Sequence, residues 1–191
     1  SPARRVAASP PAADAAAIDK AAEWLAGAEN PLVITASFGQ RAGAVPAFAD
    51  LVDRFALPVI AYRPRYVCLP TDHPMHLGYE PAAFLKDADV VLVLDCDVPW
   101  IPSLHKLNPN AKVIQIGTDP LYARYPVRGF PADLAITGAS AQAAPALAEA
   151  LETRAKSAAV RIEARRRRIA DTGRRQRELW AGRTEAARRG G

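Results

Sequence analysis

Between Asp89 and Asp95 five apolar residues, Val90-Val91-Leu92-Val93-Leu94, stand in a row with no polar residue to mark a solvent side. A run this short reads as a strand, and a strand apolar on both faces needs a sheet covered on both faces, as in parallel α/β proteins. Four other runs repeat the pattern: Pro31 to Ala36, Leu57 to Tyr62, Ala111 to Gly117 and Ala132 to Thr137. Helical spacing fills the earlier intervals. Ile18, Ala21, Ala22 and Leu25 share one helix face ahead of Gly27 and Pro31, and Val45, Phe48, Ala49, Val52 and Phe55 share another. Pro81 suits the first turn of a short helix holding Phe84 and Leu85. Strands alternating with helices predict a three-layer, Rossmann-like doubly wound parallel sheet of five to six strands with right-handed crossovers.

The ends of the chain differ from its body. Ser1 to Pro11 carries Ser-Pro and Pro-Pro without periodicity and reads as a linker. Beyond about Pro145 the pattern turns helical, with Leu147, Leu151, Ala155, Ala158, Ile162 and Ile169 in a narrow stripe that Gly173 interrupts. This gives a linker over 1–13, an α/β domain over 14–150 and, over 151–191, a basic, arginine-rich helical linker expected to lead toward a further C-terminal domain. The net charge of +5 is a sum of opposites: 12 basic and 15 acidic side chains up to residue 150, then 13 basic and 5 acidic. With 50% hydrophobic and 24% charged residues, the 191-residue chain has globular composition and the size of one domain. No apolar run approaches the roughly 20 residues that span a bilayer. Two cysteines, Cys68 and Cys96, do not point to an oxidising compartment, and a cytoplasmic protein is expected. The chain opens on Ser1 and its one methionine is Met75, as expected of a piece of a longer protein.

In an open parallel sheet, ligands bind beyond the carboxyl ends of the strands where the strand order reverses. The turns expected there are Ser37-Phe38-Gly39, the proline-rich stretch 63–81, Asp95-Cys96-Asp97 and Gly117-Thr118-Asp119. Backbone amides after the first strand can cradle a phosphate, and an acid after a later strand can hold ribose hydroxyls. The chain has no G-x-G-x-x-G, and Gly39 with Gly43 gives only a thinned glycine turn after the first strand. Asp95 and Asp97 read either as paired carboxylates on one side of a strand or, preferably, as caps of the following turn. His73 and His76 form H-x-x-H around Pro74, which breaks the helix that would align two ligands, so loop roles are favoured over a metal. Arg165 to Arg168, followed by Arg174, Arg175 and Arg177, raises a nucleic-acid reading. Glu163, Asp171 and Glu185 lie three or four residues before arginines, however, which favours a solvated or domain-docking helix.

From Asn30 to about Ala141 the segments resemble, in order and spacing, the central domain of thiamine-diphosphate-dependent enzymes of the acetolactate synthase type. The resemblance rests on Asn30-Pro31-Leu32-Val33-Ile34, on Leu57-Pro58-Val59, and on Pro70-Thr71-Asp72-His73-Pro74 followed by His76-Leu77-Gly78. It continues through Asp87 to Leu94, through Lys112-Val113-Ile114-Gln115-Ile116 ahead of Asp119-Pro120, and through Ala132 to Gly138. It implies a parent of three α/β domains in which the flanking domains hold thiamine diphosphate and Mg²⁺ through an activating glutamate and a Gly-Asp-Gly motif. This chain has no Gly-Asp-Gly, and Glu80 is its one glutamate between residues 30 and 148. The resemblance thus implies no catalytic or metal residues here.

Some members of that family bind FAD or an adenine nucleotide on this domain, which implies Ser37, Gly39, Gly78, Asp97, Thr118 and Asp119 as the matching positions. The sequence departs from them where adjacent glycines are usual, carrying Ala36-Ser37-Phe38-Gly39, and Phe38 is expected to crowd a pyrophosphate. It also carries Asp95-Cys96-Asp97 where a glycine is common. The expected function is that of a non-catalytic central domain in a homo-oligomeric parent, dimer or tetramer, acting on 2-oxo acids by carboligation or decarboxylation. Its partners would be the flanking domains, with Arg63, Arg65 and Tyr66 facing the substrate approach. The alternatives are a nucleotide-binding sensor or scaffold of the same fold, or an RNA-binding protein using the basic helix.

Overall fold

The computed structural model describes residues 9–189; residues 1–8 of the expected linker lie outside the described part, as do Gly190 and Gly191. The elements run α1 (Ala15–Gly27), β1 (Pro31–Thr35), α2 (Val45–Arg54), β2 (Val59–Ala61), α3 (Ala82–Leu85), β3 (Val90–Leu94), β4 (Lys112–Gly117), β5 (Leu134–Thr137), α4 (Ser140–Glu152) and α5 (Ala155–Arg189). Two 3-10 turns, Phe38–Gln40 and Ala42–Ala44, join β1 to α2. All five strands read from the sequence form, and they make one parallel sheet in the order β2-β1-β3-β4-β5.

The apolar runs explain the centre of this sheet. β1 and β3 are buried at every position and pair in register from Pro31 beside Val90 to Thr35 beside Leu94. Right-handed crossovers place α2, on the β1-to-β2 step, on one face, and put the β2-to-β3, β3-to-β4 and β4-to-β5 connections on the other. Helices α1 and α2 both pack on α4, completing the first layer. The Asp14 carboxylate starts α1 by accepting the Ala17 N–H at 2.8 Å, and the helix buries Ile18, Ala21, Ala22, Leu25 and Ala26 against the core.

The second face departs from the expected alternation. Segments 95–111 and 118–133 contain no helix, and aromatic contacts do the covering: Trp100 meets the Phe130 ring edge-on at 5.2 Å and His105 meets Tyr62 at 6.0 Å. A parallel connection needs a covered face, and large side chains from ordered turns supply that cover as well as a helix does. The proline-rich stretch starts in its expected place beyond β2, with the Arg65 N–H on Ala36, but its later part departs from it. It turns back so that His76 pairs in parallel with Val59, while the Leu77 N–H donates to Val59 C=O and the Ala61 N–H to Gly78 C=O. Residues 75–78 thereby cover the free edge of β2, a fragment of the sixth strand allowed for in the sequence reading.

Helix α4 starts at Ser140, five residues before Pro145 rather than after it. Pro145 supplies no N–H to the i−4 carbonyl, and burial of Ala143, Ala144, Leu147 and Leu151 holds the helix through that defect. Replacing the exposed Pro145 by Ala restores the backbone bond and is expected to stabilise the protein by about 1–2 kcal/mol, after allowing for proline's restriction of the unfolded chain. An unchanged or lower midpoint of urea unfolding would contradict this account of α4.

Candidate functional site

The strand order reverses between β1 and β3, so their carboxyl ends frame the crevice in which an α/β sheet takes a ligand. Ser37 ends the β1 side, and its N–H donates to the Asp95 C=O at 3.1 Å. Gly39 lies in the following 3-10 turn, where a Cβ would fall 2.0 Å from the Val67 carbonyl oxygen. The glycine therefore admits the chain's own backbone. Phe38 does not point into the crevice as expected; it is buried against Phe48, with ring centroids 4.5 Å apart, because its backbone turns inward in the 3-10 conformation.

The loop after β2 crosses this opening. The Arg65 N–H donates to the Ala36 C=O, and its guanidinium forms a 2.7 Å ion pair with Asp97. The Tyr125 hydroxyl donates to the same Asp97 oxygen at 3.1 Å, while the other oxygen accepts the Val98 N–H at 3.0 Å. Arg128 donates to the Asp97 C=O and to Gln115 Oε1, and lies 4.7 Å from the Tyr122 ring centroid. Burial alone would raise the Asp97 pKa, but Arg65 and Tyr125 outweigh it and hold the carboxyl below the usual carboxylate range.

Asp95 does not form a pair with Asp97. Its φ of +46° breaks the strand geometry that would put the two on one side, and burial raises its pKa against a smaller opposing effect of Ser140. Asp97 is a turn cap and an anchor for Arg65. Between them the Cys96 thiol is pushed up to about 12, chiefly by burial and further by Asp97, which leaves it a packing residue rather than a nucleophile.

Thr118 and Asp119 follow β4, one strand beyond β3, and are exposed; both Asp119 oxygens accept the Ala123 N–H at 3.2 Å. Gly78 lies away from this group. It sits past the far side of β2, about 10 Å from β1 at ordinary strand spacing. Its φ of +102° suits glycine, and a Cβ there would reach 3.0 Å from the Trp180 ring and 3.1 Å from the Gln176 amide of α5. The structure thus brings Ser37, Gly39 and Asp97 to one crevice, puts Thr118 and Asp119 on its rim, and separates Gly78.

His73 and His76 each close their own turn, accepting the Met75 and Gly78 N–H groups through Nδ1. Burial lowers the pKa of both, and no group of three potential metal ligands occurs among the described residues. Sequence reasoning missed Tyr125 and Arg128 as partners of Asp97. They lie in an aperiodic stretch whose only signal is the aromatic and basic mixture Tyr122, Tyr125, Arg128 and Phe130.

The opposite shifts of the two acids give a paired test. Near pH 7, Asp95→Asn is expected to stabilise the protein, because it removes a buried charge and asparagine accepts positive φ. The gain should vanish as pH falls below about 3.8, the unfolded carboxyl value, where Asp95 is protonated in both states. Asp97→Asn is expected to lose about 1 kcal/mol near pH 7, a loss limited by the exposure of Arg65 and absent once pH falls below the depressed folded pKa. Calorimetric midpoints across pH check both signs, and a common sign for the two variants would refute this reading.

The thiamine pyrophosphate enzyme central-domain family matches residues 18–147. The chain is 31% identical to sulfoacetaldehyde acetyltransferase from Roseovarius nubinhibens over 116 residues, covering 54% of this chain and 19% of that protein. Among solved structures it resembles an enzyme described as thiamin diphosphate-dependent from Mycobacterium smegmatis, at 25% identity and TM-score 0.63, over 78% of this chain and 30% of the other. It shares its fold with benzoylformate decarboxylase from Polynucleobacter necessarius, at 18% identity and TM-score 0.60, over 76% and 29%. The chain spans less than a third of each of these proteins. With most of its length matched, this chain belongs to the family of thiamine pyrophosphate enzyme central domains.

Proposed function

We propose that this chain is the non-catalytic central domain of an acetolactate-synthase-like enzyme that acts on 2-oxo acids, by carboligation or decarboxylation. The observation that carries the reading is the match of the thiamine pyrophosphate enzyme central-domain family over residues 18–147. The sequence has no Gly-Asp-Gly, and no three metal-ligating side chains converge among the described residues of a chain that falls in this family. The chain's residues do not fit thiamine diphosphate or Mg²⁺, which belong to flanking domains in this reading. When bound there, the cofactor supplies carbanion chemistry at a carbonyl carbon.

The domain's own work is then to hold its neighbours in register, add to a homo-oligomer interface and edge the substrate approach. Arg63, Arg65 and Tyr66 are exposed on the loop that crosses the carboxyl edge. Arg65 is committed to Asp97 and Arg63 lies 5.3 Å from the Tyr62 ring centroid, which leaves Arg63 as the cation able to turn toward an anionic carbonyl compound. An adenine nucleotide or FAD in the crevice is a second reading, favoured by the reversal of strand order beside Ser37 and Asp97. As arranged, those residues do not fit it: Arg65 would have to leave Asp97 and the 65–68 segment would have to lift from Gly39. The basic helix does not stand out as a nucleic-acid arm, since many of its arginines bond to the domain itself.

Assays of the full protein with pyruvate, benzoylformate and sulfoacetaldehyde test the substrate class. Turnover of a 2-oxo acid is expected, and Arg63→Ala should raise KM about three- to tenfold with little change in kcat, as loss of steering charge does. Activity confined to sulfoacetaldehyde would overturn the substrate class. Stoichiometric flavin absorbance in the purified protein would move the crevice to the second reading.

A further inference from the structure

At the amino-terminal edge of the sheet, away from the crevice, α5 closes a partly open cavity of about 260 Å³. Its apolar wall includes Leu32, Pro58, Leu77 and Phe84, and its polar groups are Asn30, Asp87, Arg165, Arg168 and Thr172. Arg165 is the anomaly. Its side chain is buried, with 1% of the residue exposed, yet among the described residues no carboxylate lies within ion-pair distance of it. Its Nη1 donates to the Leu25 C=O at 3.0 Å, but its Nε has no hydrogen-bond partner.

The two acids that act on Arg165 are engaged elsewhere, and Asp87 on the cavity wall is exposed and forms no ion pair with it. Glu29 pairs with Arg161, and both oxygens of Asp89 accept backbone N–H groups, from Glu29 and Asn30. Burial, the largest cause, with repulsion from Arg161 and partly offset by Asp89 and Glu29, brings the Arg165 pKa down to about 10, so the guanidinium remains charged near neutrality. Arg168, on the same wall, donates to the Glu29 C=O and has no carboxylate partner among the described residues. A buried cation with an unused donor beside a cavity is a site short of an anion, since buried charges are normally paired.

We propose that this cavity binds a small organic carboxylate, with its anionic group on Arg165 and Arg168 and its body against Leu32, Pro58, Leu77 and Phe84. The planar guanidinium suits a carboxylate, and the wall suits an aliphatic or aromatic body. Inorganic phosphate satisfies the cations but covers none of the apolar wall, and Asp87 on the same wall opposes a second negative charge. The volume, below that of a drug-sized pocket, sets the ligand class at single-ring or short branched acids. The cavity is built wholly from this chain, so the site stands whether or not the parent acts on 2-oxo acids.

Titration calorimetry of the full protein with benzoate, and separately with inorganic phosphate, tests the proposal against two variants. Arg165→Met removes the charge at similar length, and Ala83→Phe, at an exposed position lining the cavity, takes up space while leaving both arginines in the sequence. Benzoate should bind the wild type, and both variants should weaken it about ten- to hundredfold, the range for losing a charge-assisted contact or its enclosure. If Arg165→Met does not fold, Ala83→Phe alone decides. No benzoate binding, binding unaffected by Ala83→Phe, or phosphate binding as tightly as benzoate would each overturn the proposal.

Discussion

The arginine run of α5 is seated on the carboxyl ends of two other helices, and the chain's divided charge is organised around that contact. Helix carboxyl ends carry unsatisfied carbonyls and partial negative charge, and arginine is the side chain best shaped to meet both. Arg165 donates to Leu25 and Arg161 to Ala26 at the end of α1, while Arg166 donates to the carbonyls of Asp53 and Arg54 at the end of α2. Arg168 reaches Glu29 just beyond α1, and ion pairs of Arg154 with Asp19, Arg161 with Glu29 and Arg166 with Asp53 extend the contact. The acidic body and basic tail thus meet within one chain. Farther along, Trp180 settles against Tyr79 and His76, over the segment that covers the β2 edge.

This docking gives the two ends of the sheet different characters. At the carboxyl ends, where ligand sites of open α/β sheets form, the loop after β2 lies across the opening and binds Asp97 through Arg65. At the amino ends, α5 seals apolar surface but carries a cation into it without an anion to match. In the role proposed for this domain, the first arrangement is of use, since a closed crevice is a rigid one. The second asks for a ligand.

The strands were legible because β1 and β3 are buried on both faces, and an uninterrupted apolar run has few other solutions. The cover on the second face was not, because Trp100, His105 and Phe130 lie in aperiodic turns whose packing depends on side chains distant in sequence. The start of α4 was displaced in the reading by Pro145, a local signal that tertiary burial overrides. The rule of strand ends puts Ser37 and Asp97 at the crevice where they lie, whereas Gly78 lies elsewhere, since nothing local says that residues 75–78 turn back along β2. The ion pairs Glu163 with Arg167, Asp171 with Arg174 and Glu185 with Arg189 follow helical spacing and could be read directly. The long-range partners of Arg161, Arg165 and Arg166 could not.

Amide hydrogen exchange along α5 tests most directly whether the arginine-rich segment is an integral part of the domain. Docking predicts that amides from Ala158 to Ile169, where the buried residues of α5 begin, exchange as slowly as those of α1, with protection declining toward Arg189. Exchange throughout α5 at the rate of an isolated helix, with β1 and β3 still protected, would contradict it.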